Sequence, residues 1–213
     1  MKPAYVVSLP TDVTRRQKIG HELSAANIPY DFFDAVYGQD LSVTEYFELG
    51  VSRSQRILSP SELGCSISHL NILKKLVASG HNSFVILEDD VSVRSSQLYQ
   101  KFSQTKLLDN TLYILGGQEG LRRAKVLKAV RNDRHKSFNK WFSYFFQRTC
   151  CYAGTAVMFQ KMMAYLDSQT PRILADDWPK IVFGSDIKRL EYWPIFSHPN
   201  DLAQSHIEQE RRK

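Results

Sequence analysis

The sequence predicts an α/β fold with a mostly parallel central sheet. Apolar runs of strand length recur along the chain, and segments with helical spacing separate them. No run approaches the roughly 18 to 20 apolar residues that a membrane span needs. The 43% apolar and 12% aromatic content of the 213 residues is typical of a folded chain and argues against disorder. We therefore expect a single domain spanning residues 1–213.

The first 36 residues predict a βαβ unit. Residues 4–9 (AYVVSL) form a short apolar run that is typical of a buried parallel strand. In the segment that follows, Thr14 and Gln17 have the spacing of a capping box, and Pro29 marks the end of a helix. Residues 29–36 (PYDFFDAV) then predict the second strand.

The clearest helix signal lies in the middle of the chain. Residues 37–58 are weakly patterned and predict a loop with one helical turn. Ser59 then suits the N-cap position, with Pro60 at the first helical position and Glu62 at the third. An apolar stripe continues from there, so a helix is expected over residues 61–79.

Later segments complete the predicted sheet. Residues 83–90 (SFVILEDD) and 111–117 (TLYILGG) predict the third and fourth strands. Residues 154–159 (GTAVMF) predict another short strand, and a helix is expected over 161–167. A late strand is expected around residues 190–193.

The positive charge is concentrated in one stretch. The net charge is +6, yet residues 122–148 hold nine Lys and Arg residues and one acid, Asp133. Aromatic side chains are interleaved with these cations, which suits an anionic surface such as lipid head groups, a phosphorylated glycolipid or nucleic acid. The alternative is a basic helix that is exposed on one face and packs its aromatic side chains into the core.

The N-terminus and the cysteines suggest a cytoplasmic protein. The apolar part of MKPAYVVSLP is too short for a secretory signal and is followed by charges. The three cysteines, Cys65, Cys150 and Cys151, show no metal-ligand spacing, and we expect reduced thiols.

Three adjacent acids end the third predicted strand. On an extended segment, Glu88 and Asp90 face one side and Asp89 the other. Two carboxylates on one side are able to hold a hard divalent ion such as Mg²⁺ or Mn²⁺, which in turn binds a phosphate. The alternative is an acidic strand end that pairs with Lys or Arg.

Other candidates lie where strands meet helices or near helix starts. Arg15 and Arg16 open the first helix and favour an anion, although no GxGxxG or Walker pattern is present. His69 inside a helix is, on its own, most simply a structural residue. Asp176 or Asp177 could act as a general base, with Trp178 stacking on a sugar, or could cap a helix.

Taken in order, several segments resemble family 25 glycosyltransferases, the bacterial lipopolysaccharide and lipooligosaccharide galactosyltransferase group. The resemblance covers nearly the whole chain. The segments are VVSLPTDVTRR (6–16), IPYDFFDAV (28–36), SELGCSISH (61–69), VILEDDV (85–91), AGTAVMF (153–159), ADDW (175–178) and SHIEQER (205–211). The acidic motif is E-D-D where the family has a D-x-D type, which leaves open which acid binds the metal.

The resemblance implies a GT-A type, Rossmann-like fold, a UDP-sugar donor and a divalent metal, Mn²⁺ or Mg²⁺. It implies that the metal ligands are Asp90, Glu88 and His198. It implies that the donor-binding residues are Ser8, Leu9, Arg16, Asp34, Ala35, His69, Glu88 and Asp89. It implies that Asp176, with Asp177 second, is the catalytic base or contacts the acceptor.

The implied activity is an inverting, metal-dependent transfer of a hexose, most simply galactose in β linkage, to an outer-core saccharide. Residues 1–120 would form the nucleotide-sugar-binding half and residues 121–213 the acceptor-binding half. The enzyme would lie on the anionic inner face of the bacterial inner membrane, with no nucleic-acid partner. Two alternatives are a UDP-glucose-dependent glucosyltransferase of the same pathway and a non-enzymatic module that binds nucleic acid or lipid.

Overall fold

Eight strands form one mixed sheet in a computed structural model that describes residues 2–51, 57–169, 172–199, 207 and 210. The strands are β1 (Ala4–Ser8), β2 (Tyr30–Asp34), β3 (Ser83–Glu88), β4 (Ser92–Val93), β5 (Thr111–Gly116), β6 (Lys136–Asn139), β7 (Cys151–Thr155) and β8 (Arg189–Ser197). The helices are α1 (Val13–Ala25), α2 (Val43–Gly50), α3 (Pro60–Ala78), α4 (Ser96–Gln104), α5 (Lys128–Arg131), α6 (Ala156–Asp167) and α7 (Trp178–Gly184). Short 3-10 helices cover Gly38–Asp40, Ala124–Val126 and Lys140–Phe145.

The strand order is β2-β1-β3-β7-β5-β8-β4, and β6 pairs with residues 189–192 of β8, which also pair with β5 on their other edge. Strands β1, β2, β3, β5 and β8 run in one direction, and β4, β6 and β7 run against them. The predicted βαβ unit is confirmed, because β1 and β2 are parallel neighbours joined by α1. The mostly parallel sheet is therefore confirmed in its strand directions, with β7 inserted antiparallel between β3 and β5.

Two hydrophobic clusters cover the two faces of the sheet. Alternate residues of β3 divide between them, with Phe84 and Ile86 in one cluster and Val85 and Leu87 in the other. Helices α3, α6 and α7 contribute buried side chains to the first cluster, and α1 and α4 contribute to the second. The chain thus forms three layers, and its helices leave the carboxyl ends of β1, β2 and β3 at one edge. Among the described residues, no helix is long and apolar enough to span a membrane.

Several predicted boundaries are wrong by a few residues. Strand β3 ends at Glu88, so Asp89 and Asp90 lie in the turn that follows. The strand predicted over 154–159 is β7 only to Thr155, because the hydroxyl of Thr155 accepts a bond from the amide of Met158 and starts α6 there.

Capping residues mark the starts of two helices, one that the sequence analysis predicted and one that it did not. The helix expected over 61–79 is confirmed as α3, and Ser59 and Glu62 form its capping box. The expected single turn within 37–58 is instead a 3-10 helix followed by α2, which starts with a second capping box between Ser42 and Glu45.

The basic stretch 122–148 is not one helix. It is divided among two 3-10 helices, α5 and β6. Phe146 is buried in the core, whereas Trp141 and Tyr144 are exposed. The alternative of a single helix with all its aromatic side chains in the core is therefore wrong.

Two glycines bring the end of β5 close to the end of β8. Gly116 has φ +127°, and a Cβ there would lie 1.9 Å from the carbonyl oxygen of Phe196. Gly117 has φ +69°, and its Cβ would lie 2.2 Å from Sγ of Cys150. Only glycine fits such positions, and this close approach places His198 at the edge that carries the acids.

Candidate active site

The acids after β3 lie beside the β1–α1 turn and the helix α3. Because β1, β2 and β3 are parallel, their carboxyl ends meet at one edge of the sheet, where ligands bind in open α/β folds. Each of the three acids has a different set of partners there.

Asp89 holds the end of β3 to the β1–α1 turn. Its Oδ1 lies 2.6 Å from Nη2 of Arg15, and its Oδ2 accepts a 2.6 Å bond from the hydroxyl of Ser8. Burial raises the pKa of Asp89 to about 6, although the charge of Arg15 and the bond from Ser8 both act to lower it. These contacts occupy both carboxylate oxygens, which favours a positioning role.

Asp90 pairs with His198. Its Oδ2 lies 3.2 Å from Nε2 of His198 and 3.1 Å from Nη2 of Arg15. Nδ1 of His198 lies 2.7 Å from the carbonyl oxygen of Pro199 and donates to it, which orients Nε2 toward the acid. Burial acts to raise the pKa of Asp90, but His198 and Arg15 outweigh it and the pKa is lowered. For His198 burial acts to lower the pKa, but Asp90 outweighs it and the pKa is raised.

Glu88 points toward α3. Its Oε1 lies 3.2 Å from Nε2 of His69 and accepts a 3.3 Å bond from the hydroxyl of Thr149. The other ring nitrogen of His69 lies 2.9 Å from the hydroxyl of Tyr152. Among the described residues, the ligand atoms of Cys65, His69 and Glu88 lie within 4.8 Å of one another. His69 is thus placed to orient Glu88.

Asp176 joins this group through Thr149. Its Oδ1 accepts bonds from the amide of Thr149 at 2.8 Å and from the hydroxyl of Thr149 at 2.9 Å. Burial raises the pKa of Asp176 to about 6, and the charge of Glu88 adds to this rise. Asp177 instead caps α7 and pairs with Lys180, whose Nζ lies 3.0 Å away.

The predicted arginine is not the one that contacts the acids. Arg16 donates to the carbonyl oxygen of Ser8 at 2.7 Å and of Leu9 at 3.1 Å, and to Oδ1 of Asp34 at 2.6 Å. Arg15 reaches Asp89 and Asp90, whereas the family resemblance implies Arg16 as a donor-binding residue, which stays a prediction. Which of the two arginines faces the acids depends on how α1 is rotated against the sheet. That rotation could not be derived from the sequence without the position of β3.

Two cavities meet at these acids. The smaller, of about 130 Å³, is lined by Ser8, Leu9 and Ala35 and by all three acids. The larger, of about 490 Å³, is lined by Glu88 and Asp90 but not Asp89, and by residues from the second half of the chain: Arg123, Tyr144, Arg148, Asp176, Asp177, Pro179 and His198 among others. Glu88 and Asp90 therefore lie where the cavities join, as predicted, although Asp90 reaches this side from the turn after β3 and not by strand alternation.

Trp178 does not face a ligand. It is buried to 1% exposure, and its Nε1 donates a 2.9 Å bond to the carbonyl oxygen of Arg148. The predicted stacking of this side chain on a sugar is wrong, because the first turn of α7 directs it into the core beside Tyr152. Of the segment 205–211, only residues 207 and 210 are described.

Asp90 and His198 offer neighbouring ligand atoms that suit a hard divalent cation. Oδ1 of Asp90 is buried and has no hydrogen-bond partner among the described residues, so a carboxylate oxygen is left for a ligand. Carboxylate oxygens with one imidazole nitrogen suit Mn²⁺ and Mg²⁺. Asp90 and His198 form one part of such a set, and Glu88 lies on the same cavity wall with its Oε1 turned to His69.

Gly64 of α3 permits the smaller cavity to form. A Cβ at this position would lie 2.7 Å from the amide nitrogen of Gly38 and 2.7 Å from the carbonyl oxygen of Val36, and both residues line that cavity. We expect Gly64→Ala to lower the free energy of unfolding by roughly 1–3 kcal/mol, because the backbone must move. Urea unfolding measures this loss. Gly50→Ala is the control, since its Cβ would meet side chains and no backbone, the end of Leu63 at 3.0 Å and the ring of Tyr46 at 3.5 Å; equal losses would contradict the argument.

Comparisons with known proteins point to one enzyme family. The family model described as glycosyltransferase family 25 (LPS biosynthesis protein) matches residues 1–178. A Haemophilus influenzae protein, whose name provisionally assigns it as a glycosyltransferase, is 28% identical over 134 residues, 60% of this chain and 47% of that protein. Procollagen galactosyltransferase 1-A of Xenopus laevis is 30% identical over 113 residues, 49% of this chain and 18% of that protein. The matched region thus spans less than half the length of either relative.

A solved structure shares the fold. The galactosyltransferase LgtC, in complex with donor and acceptor sugar analogs, superposes with a TM-score of 0.50 at 11% identity, covering 99% of this chain and 94% of that one. At this identity the similarity concerns the fold alone, and it confirms the predicted GT-A type architecture.

Proposed function

The chain belongs to glycosyltransferase family 25, and on that premise we propose that it moves a hexose from a UDP-sugar to a saccharide acceptor, with inversion at the anomeric carbon. The observation that carries the proposal is the junction of two cavities at Glu88 and Asp90. A donor and an acceptor need separate sites that share one reactive point, and two cavities that share Glu88 and Asp90 support such an arrangement.

The smaller cavity takes the nucleoside of the donor. Its lining comes from the first 90 residues and Ile207, and includes Ser8, Leu9 and Ala35. Arg16 and Asp34 bond to each other and shape the β1–α1 turn behind it. Residues 1–120 are accordingly the nucleotide-sugar half in this proposal. The larger cavity, lined mostly by residues from 121–213, is the acceptor half.

A bound Mn²⁺ (or Mg²⁺) would be held by Asp90, with His198 and Glu88 as further ligands, and would neutralise the diphosphate of the leaving UDP. Arg15 supplies a fixed positive charge beside Asp89 and Asp90 at the same point. Asp89 keeps Arg15 and the turn in place.

Asp176 acts as the general base. The acceptor hydroxyl loses its proton to Asp176, the acceptor oxygen bonds to the anomeric carbon, and the bond from that carbon to UDP breaks with its electron pair leaving on the phosphate. Both bonds from Thr149 end on Oδ1, and we assign the proton to Oδ2. A pKa of about 6 leaves Asp176 ionised near neutral pH and still basic enough to accept a proton. Asp177 is the less suitable base because it caps α7.

We further propose galactose as the donor sugar, UDP-glucose being the alternative, and lipopolysaccharide or lipooligosaccharide as the acceptor. The name of the Xenopus laevis procollagen galactosyltransferase supports the sugar, and the description of the family model as an LPS biosynthesis protein supports the acceptor. Residues 122–136 contain several exposed cations, and Val126 among them in sequence is 67% exposed. Such a surface suits peripheral binding to the anionic cytoplasmic leaflet of the inner membrane.

A ligand screen tests the function. We expect UDP with Mn²⁺ to raise the melting temperature, because a ligand at 100 times its Kd stabilises the folded state by about 2.7 kcal/mol. We expect UDP-galactose to be consumed faster than UDP-glucose when a lipooligosaccharide fragment is present. Absence of both effects, together with tight and salt-sensitive binding to nucleic acid, would favour the non-enzymatic alternative.

A further inference from the structure

Two exposed aromatic side chains lie on a short helix that reaches the larger cavity through one of them, Tyr144, and the chemistry proposed above does not use them. Trp141 is 62% exposed and Tyr144 is 51% exposed. Both belong to the 3-10 helix Lys140–Phe145. Large aromatic side chains are among the most stabilising when buried, so a pair left in solvent marks a contact surface.

Neighbouring residues support both rings. The ring centroid of Phe183, on α7, lies 4.9 Å from that of Trp141 and 6.1 Å from that of Tyr144. Nζ of Lys140 lies 4.8 Å from the ring centroid of Phe183 and 5.9 Å from that of Trp141. We name Trp141, Tyr144 and Phe183 the aromatic rim. Because packing fixes the rings, little conformational entropy is lost when a ligand binds to them.

The aromatic rim continues into the larger cavity. Tyr144 itself lines that cavity, together with Asp176, Asp177 and Pro179. None of these four residues lines the smaller cavity. A ligand on the rim therefore approaches Asp176 through the larger cavity and not through the cavity assigned to the nucleoside.

The surroundings select the kind of ligand. Aliphatic side chains of Leu121 and Leu174 line part of this cavity, but the carboxylates of Asp176 and Asp177 line it as well, so it is not an apolar groove for a lipid chain or an apolar peptide. Arg123 and Arg148 do line it. Flat rings with polar edges beside guanidinium groups suit a saccharide that carries an anionic substituent.

We propose that the aromatic rim is the acceptor subsite, where a sugar ring of an anionic glycan stacks on Trp141 and Tyr144 while Arg123 and Arg148 bind its phosphate or carboxylate. The reaction at this subsite rests on the proposed transferase function. The glycan-binding surface itself does not.

Kinetics of rim variants tests the subsite. With a phosphorylated lipooligosaccharide-derived oligosaccharide as acceptor, we expect Trp141→Ala and Tyr144→Ala each to raise the acceptor KM by about tenfold. The donor KM and the slow hydrolysis of UDP-galactose should stay unchanged. Trp141→Phe should restore most of the affinity. Phe47→Ala, at a residue that is 60% exposed on α2, is the matched control. Transfer with an unchanged acceptor KM in both rim variants would overturn the proposal.

Removing the phosphate from the oligosaccharide measures how much its charge contributes to binding. The dephosphorylated oligosaccharide should bind the wild-type protein about tenfold more weakly, and Arg123→Gln should lose affinity only for the phosphorylated form. Equal affinities for both forms would remove the anionic substituent from the proposal.

Tryptophan fluorescence distinguishes failure of the subsite from failure of the transferase function. Trp141 is the most exposed of the three tryptophans, so the oligosaccharide should shift the emission to shorter wavelength, and Trp141→Phe should abolish the shift. A shift without any transfer would sustain the subsite and contradict the proposed function. A shift produced by anionic phospholipid vesicles and not by the oligosaccharide would make the rim a membrane contact and overturn the subsite.

Discussion

Replacing Asp90 with asparagine is expected to lower hexose transfer by roughly a thousandfold or more, the largest effect of any single change at this edge of the sheet. The substitution keeps the shape of the side chain but removes the negative charge that faces Arg15 and His198. It also replaces a ligand for a hard cation by one that carries no charge. UDP release from UDP-galactose, followed over a series of Mn²⁺ concentrations, measures the loss.

The same variant should lose the response of its melting temperature to UDP with Mn²⁺. A fold control is needed, because breaking a buried ion pair is destabilising in itself. Far-UV circular dichroism and the melting temperature without ligand provide that control. Normal turnover by a folded Asp90→Asn protein would remove Asp90 from the metal site.

Asp89→Asn is the informative comparison, because the neighbouring acid has different partners. Asp89 bonds to Ser8 and Arg15, and its own role is to hold β3 to the β1–α1 turn. We expect this variant to lose stability and some donor affinity while keeping most of its affinity for Mn²⁺. Equal losses of Mn²⁺ affinity in both variants would assign the metal to the two acids together.

The elements that the sequence predicts well are those fixed by local interactions. The capping box of Ser59 and Glu62 lies within four residues and locates the start of α3. The run that ends at Glu88 is buried on both faces, as expected for a central strand, and the acids do lie at its carboxyl end. A pattern that depends on neighbours in sequence needs no knowledge of the tertiary fold.

The contacts that complete the site are all distant in sequence. Thr149 joins Glu88 to Asp176, Tyr152 contacts His69, and His198 reaches Asp90. Each of these depends on β7 lying antiparallel beside β3, or on β8 ending beside Gly116 and Gly117. A single sequence does not encode strand order in any local signal, so Thr149 and Tyr152 were missed altogether.

The contact between Arg15 and the acids was not predicted for a related reason. Adjacent residues on a helix point about 100° apart, so one of the two faces β3 and the other faces β2. Cζ of Arg16 lies 4.9 Å from the ring centroid of Phe32, on the β2 side, whereas Arg15 faces the acids. The phase of α1 on the sheet decides this, and it follows from the burial of Ile19 and Leu23 in the second core cluster.

Replacing Asp176 with asparagine is expected to slow transfer by roughly 10²- to 10⁴-fold, as loss of a general base does, while sparing the donor site. Asparagine still accepts the two bonds from Thr149 through its own Oδ1, so the local structure should persist. The variant should therefore keep the melting-temperature response to UDP with Mn²⁺ that Asp90→Asn loses. Asp177→Asn is the matched control, and it should transfer at nearly the wild-type rate; the reverse order of rates would make Asp177 the base.

Two pH measurements provide readouts that a purely structural role would not produce together. The wild-type kcat/KM should fall below about pH 6, where Asp176 gains a proton, and this fall at acidic pH should be absent in Asp176→Asn.

The second measurement is the stability of the protein as a function of pH. The pKa of Asp176 is raised from 3.8 to about 6 in the folded protein, so the folded state binds this proton more tightly than the unfolded state. Its contribution to stability is then fully present below the unfolded pKa of 3.8, and it is lost as pH rises through the folded pKa of about 6. Because asparagine cannot ionise, the free energy of unfolding of Asp176→Asn should fall less over this interval than that of the wild-type protein. If the rate falls but both pH profiles match those of the wild-type protein, Asp176 positions the acceptor and does not take its proton.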